Sequence, residues 1–211
     1  MKPGGRGHPV FAWIYDRVAG YEERHGLSEL RQEVLRDARG RVVELGAGTG
    51  LNFPRYPATV DEVVATEPDP HMLRRAARAA EKARVPITTK RAGAEELPFE
   101  DDSIDTVVAT FVLCTVPDPA AALAEAKRVL KPCGALVFLE HVRAEDPKLA
   151  RWQDRIRGPW GFFAAGCHPN RDTPASIERA GFELERIDRF PFAPAMPLIR
   201  PHAMGVARNP A

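Results

Sequence analysis

The sequence predicts a doubly wound α/β fold, and three observations support this fold class. Short segments rich in valine, such as residues 41–45 and 106–112, have the length of buried strands. Segments with helical hydrophobic spacing separate several of these strands. The first strand leads directly into a turn with glycine at alternate positions, Gly46, Gly48 and Gly50. Strands that alternate with helices favour a parallel sheet covered by helices on both faces.

Length and charge narrow the classes of protein that this chain can represent. A chain of 211 residues is expected to form one domain, and its net charge of +1 provides no long-range field to attract nucleic acid. The three cysteines have no C-x-x-C spacing, so neither a disulfide framework nor a metal site is predicted. Residues 1–8 lack the apolar centre of a signal peptide, and no apolar run is long enough to span a membrane. We therefore expect a cytoplasmic protein that does not bind nucleic acid, of unknown oligomeric state.

The first 40 residues are predicted to form a flexible terminus, residues 1–8, and a cap of two helices, residues 9–40. Apolar residues of the first helix, including Val10, Phe11 and Ile14, recur at helical spacing. Tyr15 lies in this pattern, and two interpretations of it stay open. It contacts a ligand from above the sheet, or it packs in the core as part of an amphipathic helix.

Residues 41–52 are predicted to form a strand, a tight turn and the start of a helix. Glycine tolerates positive φ and lets the backbone approach a ligand closely. The free N–H groups of a helix start can also receive an anionic group. In the dinucleotide fingerprint the third glycine comes one residue later than Gly50 does here. A nucleotide-binding turn and a purely structural turn both remain alternatives.

The second predicted strand, residues 61–66, ends at an acidic residue, Glu67. An acidic residue about 20 residues after the first glycine is placed to accept hydrogen bonds from ribose hydroxyls. The alternative is a surface carboxylate. Pro70 is predicted to open the following helix.

Further strands are predicted at residues 85–90, 106–112 and 135–139, with a helix at residues 120–130 between the last two. Parallel strands joined by right-handed crossovers end at one edge of the sheet, where ligands of open α/β sheets bind. Thr110, Phe111 and Val112 are therefore expected to border the ligand site, and His141 ends the fifth strand at the same edge. Residues 41–141 form the predicted ligand-binding core.

The last third, residues 142–211, is where substrate choice is expected to lie. It contains a helix at residues 147–160, a helix that begins at Pro174 with Thr173 as its cap, and strands at residues 182–187 and 198–207. Trp160 lies among several aromatic residues. This composition fits an apolar lid, a face that touches a membrane, or a helix packed on the sheet.

Two motifs resemble those of class I methyltransferases, which use S-adenosylmethionine (SAM). The first is Glu-x-Gly-x-Gly-x-Gly at residues 44–50, and the second is Gly-Ala-Glu-Glu-Leu-Pro-Phe at residues 93–99. The resemblance implies a Rossmann-like sheet of seven strands with the last one antiparallel, and a helical cap over the cofactor. One departure is Gly93, which stands where the family pattern has an aspartate, so the backbone of Ala94 or the side chain of Glu95 would contact the adenine.

The resemblance also implies which residues bind SAM. Glu44 would neutralise the ammonium group of SAM through water, Glu67 would bind the ribose, and Met72 would pack on the adenine. The full expected set is Tyr15, Glu44, Gly46, Ala47, Gly48, Gly50, Asn52, Glu67, Pro68, Met72, Ala94, Glu95, Thr110, Phe111 and Val112.

Within this superfamily, residues 15–206 resemble the small thiol S-methyltransferases of the methyltransferase-like group. The resemblance rests on four places, which are residues 113–116, residues 140–142, the segment with Gly158-Pro-Trp160, Gly166-Cys167 and Arg171, and residues 199–202 with Gly205. Two features depart from that group. Its N-terminal membrane anchor is not expected in this chain, which leaves open whether the chain contacts a membrane peripherally, and His168-Pro-Asn170 follows the cysteine where relatives have asparagine.

The resemblance implies transfer of methyl from SAM to a small, fairly apolar thiol. Alignment of the reacting atoms can supply about 7 to 11 kcal/mol of the acceleration in such a displacement. His141 is the first candidate for the base that accepts the thiol proton, and a purely structural histidine is the alternative. Buried cysteines in turn often act only as small hydrophobic residues. The candidate acceptor-binding residues are Cys114, Trp160, Cys167, His168 and His202.

Two further functions remain open from the sequence. The acceptor could be the nitrogen of a phospholipid or an amine, or the carbon of a quinone-like molecule, because those enzymes share the glycine and Leu-Pro-Phe segments. Alternatively, the chain could be a SAM-binding module without transferase activity that acts through a partner.

Overall fold

The computed structural model describes residues 20–164 and 166–210, which form a seven-stranded sheet with the order β3-β2-β1-β4-β5-β7-β6. β7 is antiparallel to both of its neighbours, and the other strand pairs are parallel. This arrangement confirms the predicted doubly wound α/β sheet with an antiparallel last strand. The strands are β1 (Gly40–Leu45), β2 (Val60–Thr66), β3 (Ile87–Lys90), β4 (Ile104–Thr110), β5 (Leu130–His141), β6 (Glu183–Pro191) and β7 (Pro201–Arg208).

Four of the five α-helices in the described part of the chain begin at an aspartate that is followed within two residues by proline. Asp69, Asp118 and Asp146 each accept hydrogen bonds from N–H groups of the first helical turn, and proline is the next residue. The cap of the last helix is Asp172, which accepts a hydrogen bond from the N–H of Ala175. The prediction of Thr173 as the cap was therefore wrong. The helices are α1 (Ser28–Leu35), α2 (Pro70–Ala80), α3 (Pro119–Val129), α4 (Pro147–Phe163) and α5 (Thr173–Arg179), with a π-helical turn at Glu23–Leu27 before α1.

The predicted helix start after the glycine turn was wrong. The chain there forms only a short 3-10 helix, Phe53–Arg55, before it enters β2. Tyr56 is extended, with φ −61° and ψ 131°, because the following Pro57 disfavours the helical conformation of the residue before it. The glycine turn is therefore not followed by an α-helix whose free N–H groups could bind an anion.

Several strand ends also differ from the predictions. β4 ends at Thr110, so Phe111 and Val112 lie in the turn that follows it. β5 begins at Leu130, with its register shifted before Ala135. β7 begins at Pro201, since proline lacks the N–H group that a strand interior needs.

The centre of the sheet is buried on both faces. Val107 and Val108 of β4 and Leu136 and Val137 of β5 are fully buried, alternating between two core clusters on opposite faces. Because β1, β2, β4 and β5 are parallel, their carboxyl ends meet at one edge. The chain changes direction between β1 and β4, which is the switch point where open sheets bind ligands.

Candidate active site at the carboxyl edge of the sheet

The glycine turn after β1 depends on three left-handed backbone conformations. Gly46, Gly48 and Gly50 have φ values of 52°, 58° and 86°. A side chain at Gly50 would lie 2.7 Å from the ring of Phe53, and one at Gly46 would lie 2.9 Å from Val112. At Gly48 a Cβ atom would meet nothing within 4 Å. Gly46 and Gly50 are thus required by packing within the protein, whereas the space above Gly48 is open to a ligand.

Glu67 joins the glycine turn to the end of β2. Its carboxylate accepts hydrogen bonds from the N–H of Gly48 at 2.9 Å and from the N–H of Asp69 at 2.8 Å. The side chain is buried, and burial raises its pKa although both N–H donors favour the charged form. Glu67 lies beside Gly48, which is consistent with the predicted contact between Glu67 and a ribose. That contact stays a prediction.

Glu44 lies in a buried polar network rather than in an open site. Its two oxygens accept hydrogen bonds from Asn52 at 2.9 Å and from the hydroxyl of Tyr56 at 2.6 Å. Burial raises its pKa to about 7. Sequence reasoning placed Glu44 and Asn52 here, but it missed Tyr56.

A buried arginine from α1 completes this network. Arg31 donates to the side-chain oxygens of Asn52 and Thr110, at 3.0 and 3.1 Å, and pairs with Glu23 at 2.6 Å. Its guanidinium lies 5.2 Å from the ring centroid of Phe111. The network gathers groups from the helical cap, β1 and β4 at the edge where the cofactor is expected. No sequence signal singled out Arg31, because nothing in the spacing of one arginine on a helix shows that it is buried.

The other predicted cofactor residues surround the same edge. Pro68 and Met72 flank Asp69 at the start of α2, and the N–H of Ala47 donates to the carbonyl of Thr66 at the end of β2. Ala94 is buried in the core cluster that also contains Val112. Glu95 accepts a hydrogen bond from the N–H of Asp118 at 3.5 Å. Tyr15 lies outside the described residues.

Glu140 at the end of β5 holds the turn that follows β4. Its carboxylate accepts hydrogen bonds from the consecutive N–H groups of Val112, Leu113 and Cys114, at 2.8, 2.9 and 3.1 Å. The side chain is fully buried, and burial raises its pKa to about 7 against these donors. Phe111, just before this turn, has a φ of 59°, which is strained for an aromatic residue. Sequence reasoning assigned no role to Glu140.

Cys114, His141 and Cys167 form a compact cluster beside this turn. Nδ1 of His141 lies 3.7 Å from the sulfur of Cys114 and 3.7 Å from the sulfur of Cys167. The Cys114 thiol and the His141 imidazole hold the pKa of Cys167 well below its usual range, at about 4, while the pKa of Cys114 is raised. The structure therefore brings together the predicted base and two predicted acceptor-binding residues.

Aromatic rings form the wall beside the cluster. The ring of His202 packs against those of His141 and Phe111, with centroids 4.8 and 5.6 Å apart. Phe190 and Phe192 contact His202 from the other side. Burial lowers the pKa of His202 to about 3, and its Nδ1 lies 2.9 Å from the carbonyl of Arg200. His202 is therefore neutral and contributes an apolar surface with one polar atom.

His168 and Trp160 lie at the outer side of the cluster. The backbone N–H of His168 donates to the carbonyl of Cys114 at 2.7 Å, and its partly exposed ring has a pKa lowered by burial. Trp160 packs on the core from α4, and its indole N–H is one of the groups that lower the pKa of Cys167. Their contact with an acceptor stays a prediction.

Within residues 20–164 and 166–210, no helix is both long and apolar enough to cross a membrane.

Comparison with known proteins identifies a family. Residues 43–138 match the family described as a methyltransferase domain. The human thiol S-methyltransferase TMT1A is 31% identical over 201 residues, which cover 93% of this chain and 82% of that protein. A phosphatidylethanolamine N-methyltransferase from Cereibacter sphaeroides is 37% identical over 166 residues, covering 74% of this chain and 75% of that protein.

A solved structure shares the fold. It is a SAM-dependent methyltransferase from Thermotoga maritima with a TM-score of 0.67 and 22% identity. The similarity covers 94% of this chain and 99% of that one. The seven-stranded sheet with one antiparallel strand is therefore the methyltransferase architecture that the sequence motifs predicted.

Proposed function

The chain belongs to the SAM-dependent methyltransferases, and from that premise we propose that it moves the methyl group of SAM to a small, fairly apolar thiol. The observation that carries the proposal is the cluster at the ends of β4 and β5, where the imidazole of His141 lies 3.7 Å from two cysteine sulfurs. The similarity to TMT1A supports the same acceptor chemistry.

We assign the cofactor to the space between the glycine turn and Glu67. SAM supplies an electrophilic methyl group on a sulfonium. Glu67 accepts hydrogen bonds from the ribose, and the open space at Gly48 lets the backbone approach the bound molecule. The buried network of Glu44, Asn52 and Arg31 adjoins the glycine turn and, in this assignment, supports the place of the amino and carboxylate end.

The acceptor reaches the methyl group from the side of the cysteine cluster. A thiol of pKa about 8.5 is mostly protonated at neutral pH, so its proton must leave before the sulfur attacks. We propose that the cluster around His141 removes this proton. Phe111 and His202 provide an apolar wall that removes water from the attacking sulfur. In this arrangement residues 41–141 bind the donor and residues 142–211 shape the acceptor site.

A matched set of acceptors tests the proposal. Purified protein is incubated with methyl-labelled SAM and a thiol, an alcohol and an amine that share one carbon skeleton, together with a quinone precursor. We expect the label in the thioether and S-adenosylhomocysteine (SAH) as the second product. Label that moves only to nitrogen or carbon would contradict the thiol assignment. Tight SAM binding without turnover of any acceptor would favour a non-catalytic SAM-binding module.

Methylation of an amine or phospholipid headgroup is the second candidate function. The observation that favours it is the 37% identity to the phosphatidylethanolamine N-methyltransferase. Helix α4 also exposes Trp152, about half of whose surface is accessible, beside Arg151 and Arg155. Vesicles that contain phosphatidylethanolamine, added to the same labelled reaction, test this candidate.

The cytoplasmic location of the protein stays a prediction.

A further inference from the structure

We propose that Cys114, His141 and Cys167 form a binding site for a divalent metal ion of the zinc type, and that this ion binds the acceptor thiol. The inference rests on the proposed function, since it names how the thiol is held and activated. It goes beyond that function in assigning a metal site to three residues that the sequence predicts only as a base and as acceptor contacts.

The distances within the cluster are close to those of a tetrahedral site. The ligand atoms lie within 4.8 Å of one another, and each sulfur is 3.7 Å from Nδ1 of His141. With Zn–S bonds of about 2.3 Å and Zn–N bonds of about 2.0 Å, tetrahedral geometry places sulfur and nitrogen about 3.6 Å apart. Two sulfurs on the same ion lie about 3.8 Å apart. An ion therefore fits between the three atoms with only small side-chain movements.

The chemistry of the ligands selects the ion. Two thiolates and one imidazole suit zinc and other borderline or soft divalent ions, and do not suit magnesium or calcium. Two thiolate charges balance a divalent ion, which avoids an unpaired charge in a buried place. Three protein ligands with a fourth position open is the arrangement of catalytic zinc, whereas structural zinc usually has four.

The backbone around the cluster holds both cysteines in place. The N–H of Cys114 donates to Glu140 at 3.1 Å, and the carbonyl of Cys114 accepts from the N–H of His168 at 2.7 Å. The N–H of Cys167 donates to the carbonyl of Ala164 at 3.0 Å. His141 is fixed in β5 opposite His202 of β7. Such support for the ligands is what a metal site needs to keep its geometry.

Spacing in the sequence could not reveal this site. The absence of a C-x-x-C pair argued against a metal, but His141 lies 27 residues after Cys114 and 26 residues before Cys167. The ligands come from the turn after β4, the end of β5 and the loop after α4. These segments contain three of the four places on which the resemblance to thiol methyltransferases rests.

The metal changes how the acceptor thiol loses its proton. The thiol takes the open position and releases its proton to solvent, because a coordinated thiol is deprotonated. A sulfur lone pair then forms the bond to the methyl carbon, while the carbon–sulfonium bond breaks and its electron pair stays on the donor sulfur as SAH forms. The product thioether carries no charge, binds the ion weakly and leaves. In this arrangement His141 is a ligand and not a base.

Metal content tests the site directly, with Zn2+ as the probe. The full chain is loaded with Zn2+, dialysed, and analysed for bound zinc together with the variants Cys114→Ser, Cys167→Ser and Cys133→Ser. We expect about one zinc per chain in the wild type and in Cys133→Ser, whose cysteine is exposed and outside the cluster, and at least about a tenfold loss of affinity in the other two. Equal zinc binding in all four proteins, or none in the wild type, would overturn the inference. Calorimetric binding of SAH shows that each variant is folded.

Cobalt spectroscopy and metal removal separate this inference from the proposed function. With Co2+ in place of Zn2+, we expect thiolate charge-transfer absorption that changes when an acceptor thiol is added, and an unchanged spectrum would overturn the inference. If chelator-treated protein methylates thiols as fast as the zinc-loaded protein does, the metal inference fails while the proposed function stands. If zinc binds at the cluster and the labelled-acceptor assay detects no thioether, the proposed function fails, and with it the assignment of the metal to the acceptor.

Discussion

At the scale of single residues, we predict that Glu67 controls the affinity for the methyl donor. Its carboxylate is buried beside the open space at Gly48, where the proposed ribose contact lies. We expect Glu67→Gln to weaken SAM binding about 10- to 100-fold, because a hydrogen bond to a charged group contributes about 1.5 to 3 kcal/mol. Isothermal titration calorimetry with SAM and SAH measures the change.

A glutamate within β2 provides the control for this measurement. Glu62 of β2 is half-buried and forms an ion pair with Arg41. Glu62→Gln should leave SAM affinity unchanged. Equal affinities for wild type and Glu67→Gln would mean that Glu67 does not bind the ribose.

Glu44 makes stability depend on pH. Burial raises its pKa to about 7 in the folded chain, although Asn52, Tyr56 and Arg31 favour its charged form. In the unfolded chain a glutamate has a pKa of about 4.3. Between these values the folded chain holds a proton that the unfolded chain has released, so the free energy of unfolding falls as the pH rises.

Urea denaturation of wild type and Glu44→Gln at pH 5 and pH 7 tests this dependence. We expect the wild type to lose about 1 to 3 kcal/mol more than the variant between the two pH values, since a shift of one pKa unit corresponds to about 1.4 kcal/mol. Parallel pH profiles for the two proteins would show that Glu44 titrates normally in the folded chain.

Some residues of the site could be predicted from the sequence and others could not. The glycines and Glu67 were predictable, because the turn and the strand end fix where they lie. Arg31, Tyr56 and Glu140 were not, because their importance comes from burial against segments far away in the chain. The hydrogen bond between Arg31 and Thr110, for example, spans 79 residues.

At the scale of elements, the glycine turn combines two separate requirements. Gly50 is needed for packing, since a Cβ atom there would lie 2.7 Å from Phe53 and 3.0 Å from Ala79. Gly48 contacts nothing of the protein in that direction. Substitution of the two glycines should therefore affect different properties.

We expect Gly50→Ala to reduce stability by about 2 to 5 kcal/mol, from the clash together with the left-handed backbone. Gly48→Ala should cost only about 1 to 2 kcal/mol, yet weaken SAM binding more than about tenfold, because its methyl group enters the ligand space. Thermal unfolding and calorimetry measure the two effects. Unchanged SAM affinity in a folded Gly48→Ala protein would contradict a cofactor at this turn.

The doubly wound sheet with an antiparallel last strand was predictable, but the connections between strands were less so. Aspartate followed by proline indicates a helix start locally, which is why α2 and α4 began where expected. The glycine turn predicted a helix start. No α-helix forms there because Pro57 disfavours the helical conformation of Tyr56. Strand ends such as that of β4 depend on Glu140, which binds the next turn from a different strand.

At the scale of the whole molecule, the proposed donor and acceptor sites share one edge of the sheet. The carboxyl ends of β1 and β2 carry the glycine turn and Glu67, and those of β4 and β5 carry the cysteine cluster. The core beneath them is fully buried at β4 and β5. Such a scaffold keeps two reactants aligned, which is the main demand of a displacement at a methyl group.

Binding of SAH should stabilise the entire domain. A ligand that binds only the folded chain adds about 2.7 kcal/mol at a concentration 100 times its dissociation constant. We expect the melting temperature to rise progressively with SAH concentration, and to rise much less in Gly48→Ala. Differential scanning calorimetry measures both, and a melting temperature that is independent of SAH would contradict the cofactor assignment.

The most direct test of the account is a crystal structure of the protein with SAH and a small thiol. We predict that the SAH ribose contacts Glu67, that the SAH sulfur points toward the cluster of Cys114, His141 and Cys167, and that the thiol sulfur lies between that cluster and the place of the transferred methyl. Reacting atoms in such a complex should be about 3 to 3.5 Å apart once the methyl group is present. An SAH sulfur directed away from the cluster, or a thiol bound elsewhere, would contradict the proposed transfer site.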